Sequence, residues 1–182
     1  MAQTTIETTR LRLEPWSGPH TGLLVELSSD PRVVRHIGTG ELWSAALAEE
    51  VSQDQRRHWE EHGFGWRACV EKASGEAVGL AALNLLGAGA IGLEATEIEI
   101  GWWLKPSVWG RGFAVEGGEA MLAEAFGRLE APSVVARIQP SNEHSVAVAQ
   151  ALGFIHELTT TGRHRETVEV FRLFAVNYKR RD

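Results

Sequence analysis

Two glycines stand one residue apart in Trp109, Gly110, Arg111, Gly112, Phe113, Ala114, immediately ahead of a run with helical character. A strand, then Gly-x-Gly, then a helix start gathers unpaired backbone N–H groups at the positive end of a helix dipole, where an anion such as a phosphate fits. A side chain on Gly110 or Gly112 would hold a pyrophosphate away from those amides, while Lys105 and Arg111 could supply cations. The same pattern also describes a tight loop that only caps a helix. Upstream, Glu97 and Glu99 share one face of the alternating run 96–104. Either could accept a proton, directly or through a water, or both could be solvated carboxylates on an open strand face. Downstream, Asn142 could contact a ligand or simply cap a helix, and the Ser145 hydroxyl can donate a hydrogen bond.

Three other groupings carry less. His58 and His62 lie four apart on a predicted helix, a spacing at which two imidazoles can share a metal. No Glu directly follows His58 and no third ligand is evident, so a solvated helix face is expected and no metal. Cys69, the single cysteine, reads as a small buried hydrophobe rather than a nucleophile. The polar stretch 159–167, with Arg163, His164 and Arg165, could meet an acidic acceptor, meet a second copy in a homodimer, or remain solvated.

These residues need a scaffold, and the composition supplies one. A chain of 182 residues, 43% hydrophobic and 23% charged, suits one soluble globular domain over 1–182. A net charge of −6 argues against a broad basic face for nucleic acid, so any anionic ligand must be held locally. The lone cysteine fits a reducing, cytoplasmic compartment. The polar start 1–10 has no apolar signal-like core, and no stretch is long and apolar enough for a membrane span.

Period-two alternation places strands at 9–16, 66–71, 77–83, 96–104, 134–138, 154–161 and 167–176. Helical spacing covers 21–29, a short stretch 33–36 after Asp30 and Pro31, 44–62 with Ser44 as its cap, 113–129, and 141–152 stopped by Gly153. Residues 72–76 have the composition of a hairpin loop, and 87–92 form a Gly- and Ala-rich loop. Gly117 and Gly118 interrupt the helix 113–129 for no reason visible in the sequence, at about 1 kcal/mol each relative to Ala. Strands and helices interleave, so a mixed sheet flanked by helices is expected, of α/β (mixed α+β) class.

The run Glu99, Ile100, Gly101, Trp102, Trp103, Leu104, Lys105, Pro106, followed by 109–116, resembles the acyl-CoA motif of GNAT acyltransferases, and most of all their ribosomal-protein N-terminal acetyltransferase (Rim-type) branch. In the family loop of Gln or Arg, two residues, Gly, one residue, Gly or Ala, Gly112 and Ala114 match, while Trp109 replaces the first position as it usually does in this branch. The opening strand 9–16, the segment 30–34 and the pattern Asn142, Ser145, Leu152, Gly153, Phe154 extend the resemblance over nearly the whole chain.

The resemblance implies a GNAT fold with a mostly antiparallel sheet of about seven strands, splayed at the CoA-binding strand. It implies acetyl transfer from acetyl-CoA to a primary amine, a peptide N-terminus or a small molecule, by direct attack in a ternary complex. Trp103, Leu104, Lys105, 109–114, Asn142 and Ser145 would hold CoA, with the Leu104 N–H facing the thioester oxygen. His36, Ile37 and Trp43 would shape the acceptor site, alongside Trp59 and Trp66. An amine must lose a proton before or during attack, and Glu99, then Glu97, are the candidate acceptors. Relatives often carry a tyrosine acid where this chain has Ala149, which leaves Ser145 to face the leaving sulfur. Alternatives are a succinyl or other acyl donor, with Arg163 or Arg165 pairing its carboxylate, and a CoA-binding module without catalysis.

Overall fold

The computed structural model describes residues 4–87, 92–162 and 164–179. Strand β1 (Ile6–Glu7) pairs antiparallel with β2 (Leu11–Pro15), a two-residue addition to the expected seven strands. After a 3-10 turn, α1 (Thr21–Ser28) is followed by α2 (Pro31–Val34). α2 starts two residues earlier than the expected 33–36. The Asp30 carboxylate accepts the Arg32 N–H at 2.9 Å, and Pro31, with its φ already helical, takes the first helical position. Helix α3 (Ala45–His62) begins as expected on Ser44, whose Oγ accepts the Leu47 N–H at 3.1 Å, and ends on left-handed Gly63.

The hairpin β3 (Arg67–Glu71) and β4 (Ala77–Leu85) leads to β5 (Ile98–Leu104). A 3-10 turn at Pro106–Val108 precedes α4 (Phe113–Ala123), which continues as a π turn, Glu124–Arg128, where one regular helix is expected. Then come β6 (Ser133–Ile138), α5 (Glu143–Ala151), β7 (Ile155–Thr161) and β8 (Thr167–Phe174). β8 stops short of the expected Val176 because Ala175–Asn177 turns into a 3-10 helix. The sheet order is β1-β2-β3-β4-β5-β6-β8-β7, antiparallel throughout except for β5 against β6.

Each face of the sheet carries its own core. On one, α4 and α5 bury Phe113, Met121, Leu122, Ala149 and Leu152 against Leu83 and Ile100. On the other, α1 and α3 bury Leu24, Leu27, Ala48 and Trp59 against Trp16, Trp66 and Leu80. The packing of α4 accounts for Gly117 and Gly118. A Cβ on Gly117 would lie 3.7 Å from both Ala81 Cβ and Cys69 Sγ, and one on Gly118 would lie 2.6 Å from Leu152 Cδ1. Helix propensity is given up so that α4 can lie close on both the sheet and α5.

Strands β5 and β6 run side by side only briefly. Their parallel register covers Ile98 with Val134 and Glu99 with Val135, and stops there, although β5 continues to Leu104 and β6 to Ile138. The sheet is split from Ile100 onward, and the split positions the site.

Candidate active site

The split opens into a cavity of about 790 Å³, walled by the end of β5, the loop into α4, the end of β6, the start of α5 and the α2 segment. Its chemistry begins with backbone. In the antiparallel β4–β5 ladder Gly79 faces Leu104, and the Lys105 N–H donates to Val78 O at 2.9 Å. That bond makes Gly79 and Leu104 a narrow, non-hydrogen-bonded pair, so the Leu104 N–H and C=O point away from β4, toward the split. The Trp109 indole N–H donates to Leu104 O at 2.8 Å. The Leu104 N–H is left facing the gap where β6 has turned away.

Gly79 permits this arrangement. A Cβ there would lie 2.3 Å from Trp103 O and 2.8 Å from Leu104 Cα, both backbone atoms that cannot give way. A glycine inside a strand pattern is the sequence signal for such a close approach.

The loop into α4 presents unpaired backbone N–H groups to the cavity. Gly112, at φ 80°, forms the cap of α4, and Gly110 has φ 75°. The first helical bond runs from the Glu116 N–H to Gly112 O, so the N–H groups of Phe113, Ala114 and Val115 lie outside the helical ladder. All three residues, with Gly110 and Gly112, line the cavity, and among the described residues no Asp or Glu does. The chain's own carboxylate at this turn, Glu116, points the other way and is held by the Thr8 hydroxyl at 2.6 Å and by the Arg10 N–H and Nε at 2.7 and 2.6 Å. These partners hold the Glu116 carboxyl below its usual range against the opposing effect of burial.

The two cations expected at the cradle are elsewhere. Lys105 Nζ pairs with Glu26 at 2.7 Å, and Arg111 pairs with Glu71 while lying 4.6 Å over the Phe113 ring; neither side chain is on the cavity wall. Backbone N–H groups, not these two cationic side chains, therefore face the cavity at this turn.

Trp102 and Trp103 face opposite sides of β5. The Trp102 indole N–H donates to Ser145 Oγ at 3.3 Å on the α5 side. Asn142 caps α5 by accepting the Ser145 N–H at 3.2 Å, and both Asn142 and Ser145 line the cavity. Trp103 packs on the other side in a chain of rings, 5.3 Å from Trp43 and 5.9 Å from Trp66, which stands 5.5 Å from Trp16. Trp43 supports Trp103 from behind and is not itself on the cavity wall; Trp59 and Trp66 belong to the core beneath.

Glu99 is bound by Arg137 through two bonds, Nε at 2.8 Å and Nη2 at 2.9 Å. Arg137 lines the cavity and Glu99 stands behind it. Glu97 faces Arg172 at 2.9 Å, and Arg172 also holds Glu157, so Glu97 belongs to a structural ion-pair row away from the cavity. The partnership of Glu99 with Arg137 escapes strand alternation, which places both on one sheet face without indicating which strands are neighbours.

His36 and Ile37 do line the cavity. His36 Nδ1 lies 3.3 Å from Ser141 Oγ, and Gln139 Nε2 donates to Gly38 O at 3.0 Å, tying the α2 segment to the start of α5 across the split. Burial, followed by the charges of Arg35 and His144, lowers the His36 pKa and favours its neutral form. Cys69 is buried and burial pushes its thiol up to about 12, which removes it as a nucleophile. Both ring nitrogens of His58 are engaged, Nδ1 with Phe64 O at 2.8 Å and Nε2 with the Leu85 N–H at 3.3 Å, so it staples α3 to β4 and is not open to share a ligand with His62. Arg163 lies outside the described residues, and Arg165 is exposed and off the cavity wall. No helix among the described residues is long and apolar enough to cross a membrane.

Comparison with known proteins bears on this geometry. The family model of the acetyltransferase (GNAT) domain matches residues 10–155. A fungal protein named FsC-acetyl coenzyme A-N(2)-transacetylase, from Aspergillus fumigatus, is 29% identical over 164 residues, covering 85% of this chain and 66% of its own length. An acetyltransferase structure from Agrobacterium tumefaciens superposes with a TM-score of 0.78 at 26% identity, covering 95% of each chain. RimL, a ribosomal alpha-N-protein acetyltransferase solved in complex with coenzyme A, superposes with a TM-score of 0.74 at 18% identity, covering 94% of this chain and 98% of its own.

Proposed function

Because the chain belongs to the GNAT acetyltransferase family and is an acyl-CoA-dependent N-acetyltransferase, we propose that it moves an acetyl group from acetyl-CoA to a primary amine, on a peptide N-terminus or a small molecule, by direct attack in the split between β5 and β6. The observation that carries this reading is the juxtaposition of the α4 cradle with the outward-facing Leu104 N–H in one cavity. The name of the fungal relative, which specifies acetyl coenzyme A and a nitrogen acceptor, supports the same donor and acceptor class. The likeness to RimL and the Rim-type sequence motifs favour peptide α-amines.

Acetyl-CoA supplies an activated thioester. The residues present fit it: Gly110, Gly112 and Phe113 to Val115 offer backbone N–H groups, and no described carboxylate on the cavity wall competes with the phosphates. The freed edge of β5 can pair with the amides of the pantetheine arm. The Leu104 N–H donates to the thioester oxygen, and its hydrogen bond strengthens as negative charge develops there during attack. Trp109 locks the adjoining Leu104 carbonyl, which fixes the direction of that N–H. Glu99 stands behind Arg137, which binds both of its oxygens, so the amine's proton reaches that carboxylate only through a water beside the Arg137 guanidinium. Ser145 faces the departing sulfur as a hydrogen-bond donor, replacing the tyrosine that Ala149 excludes.

The test is a steady-state assay of CoA release against a panel of amines and N-terminal peptides, with the products weighed by mass spectrometry. Acetylated product from acetyl-CoA, with succinyl-CoA turned over far more slowly, is the expected result. A Gly112→Asp variant should lose CoA binding by roughly 100-fold or more, since it adds a carboxylate, a positive-φ side chain and bulk to the cradle. Retained CoA affinity in that variant would refute the cradle.

A further inference from the structure

Among the described residues five basic or titratable nitrogen side chains reach the cavity wall, Arg32, Arg35, His36, Arg137 and His144, against no carboxylate. Two of the arginines are already neutralised. Arg32 is doubly bonded to Asp30, at 3.0 and 2.6 Å, and Arg137 is doubly bonded to Glu99. The Arg35 guanidinium has neither a carboxylate nor a hydrogen-bond partner among the described residues. The Arg35 side chain lines the cavity with those of His36 and His144, and His36 Nδ1 lies 3.3 Å from Ser141 Oγ, at the start of the segment that carries His144.

The position of this group separates it from the phosphate cradle. The α2 segment that carries Arg35 and His36 packs through Val33 on the core of α1 and α3, whereas α4 and its cradle pack on the opposite core. The two basic features approach the split from opposite faces of the sheet. The tie between Gly38 and Gln139 fixes the α2 segment at the end of β6, beyond the paired part of β5 and β6.

We propose that Arg35, flanked by His36 and His144, selects acceptors that carry an anionic group close to the reacting amine, such as a peptide with an acidic residue near its N-terminus. This rests on the acetyl-transfer reading of the same cavity and adds the acceptor's charge to it. A planar guanidinium with no internal partner can meet a carboxylate with two parallel N–H bonds. Basic acceptors meet the same face as repulsion, so the selectivity has a rejecting side as well as an attracting one.

The test uses the full chain saturated with CoA, a dead-end complex in which acceptor binding is read without turnover. Two pentapeptides identical except for Glu or Gln at the second and third positions are titrated by isothermal calorimetry. The acidic peptide should bind roughly tenfold more tightly, and Arg35→Ala should bring the ratio close to one while leaving the affinity for CoA unchanged. Arg35→Lys should restore part of the preference, which a purely structural role for Arg35 would not predict. Equal binding of the two peptides in the unaltered protein overturns the inference. A loss of CoA affinity in Arg35→Ala matching the loss of peptide affinity also overturns it, by assigning Arg35 to the donor's phosphates. An acidic peptide that binds selectively yet gains no acetyl group when acetyl-CoA replaces CoA overturns the peptide-acetylation reading and leaves the charge selection standing.

Discussion

At Gly79 the strand backbone has no room for a methyl group. The atoms a Cβ would strike, Trp103 O and Leu104 Cα, belong to the segment whose N–H faces the split. Gly79→Ala should therefore cost about 1–3 kcal/mol of stability, as overpacking against rigid neighbours does. It should also lower kcat more than it raises KM for acetyl-CoA, because the Leu104 N–H acts most strongly as charge develops on the oxygen. Urea unfolding alongside steady-state kinetics checks both, and a stable variant with unchanged kcat would remove Leu104 from its proposed role. His58 offers a second residue-scale test. Burial lowers its pKa, its carbonyl bond to Phe64 opposes that, and the nearby His62 charge adds to the lowering. The unfolded imidazole, with its ordinary value near 6.5, binds a proton that the folded one refuses. The stabilisation is thus fully present above pH ~6.5 and is lost as pH falls below it through the folded value. Urea midpoints taken between pH 7.5 and 5 should fall. The fall should be shallower in His58→Gln, whose amide can keep both bonds without titrating; His36, lowered in the same direction, accounts for the remainder.

At the scale of elements, the π turn after α4 has a structural purpose. It carries Glu124, a buried carboxylate doubly bonded to buried Arg67 of β3 at 3.0 and 2.8 Å and also to Arg128. Arg67 in turn lies 4.8 Å over the Trp59 ring, so one ion pair joins α4, β3 and α3. Removing one partner strands a buried charge, and Glu124→Ala should cost about 3–5 kcal/mol. The double variant Arg67→Met, Glu124→Leu should recover most of that loss, and a double-mutant cycle by urea unfolding measures the coupling. A cost near zero for Glu124→Ala would mean that the pair is solvated. None of this is legible in the one-dimensional pattern, where 113–129 reads as a single helix and Arg67 as an ordinary strand residue. What alternation and caps do reveal is the element order: Ser44, Gly63 and the Gly110 to Gly112 turn sit where their local chemistry places them. The pairing of strands distant in sequence is invisible to that logic. The partnerships of Glu99 with Arg137 and Glu97 with Arg172, and the split between β5 and β6, follow from which strands become neighbours. The neutralisation of Lys105 and Arg111 by Glu26 and Glu71 is hidden for the same reason.

For the whole molecule, the distribution of charge matters more than its sum. The chain carries 18 Lys and Arg against 24 Asp and Glu, a net charge of −6, which by itself would repel an anionic donor. Among the described residues no carboxylate lines the cavity wall, and Glu99, Asp30, Glu71 and Glu116, on elements that flank it, are each held by an arginine. A concave, low-dielectric cleft concentrates the field of the groups that line it, so a locally basic mouth can attract an anion that the average surface repels. Salt acts differently on these two contributions. Raising ionic strength from about 0.01 M to about 0.1 M shortens the screening length from about 30 Å to about 10 Å. This weakens both the distant repulsion and the outer part of the local attraction, but hardly touches hydrogen bonds made to backbone N–H groups inside the cradle. On the proposed reading, in which backbone rather than mobile Lys and Arg holds the phosphates, the kcat/KM for acetyl-CoA should change less than about threefold across that range. The kcat/KM for an acidic acceptor, which depends on the exposed Arg35, should fall several times more steeply over the same range. A donor term that falls as steeply as the acceptor term would mean that side-chain cations, not the α4 amides, bind the phosphates. Substituting Lys105 and Arg111 one at a time would then show which of them leaves its carboxylate partner to do so.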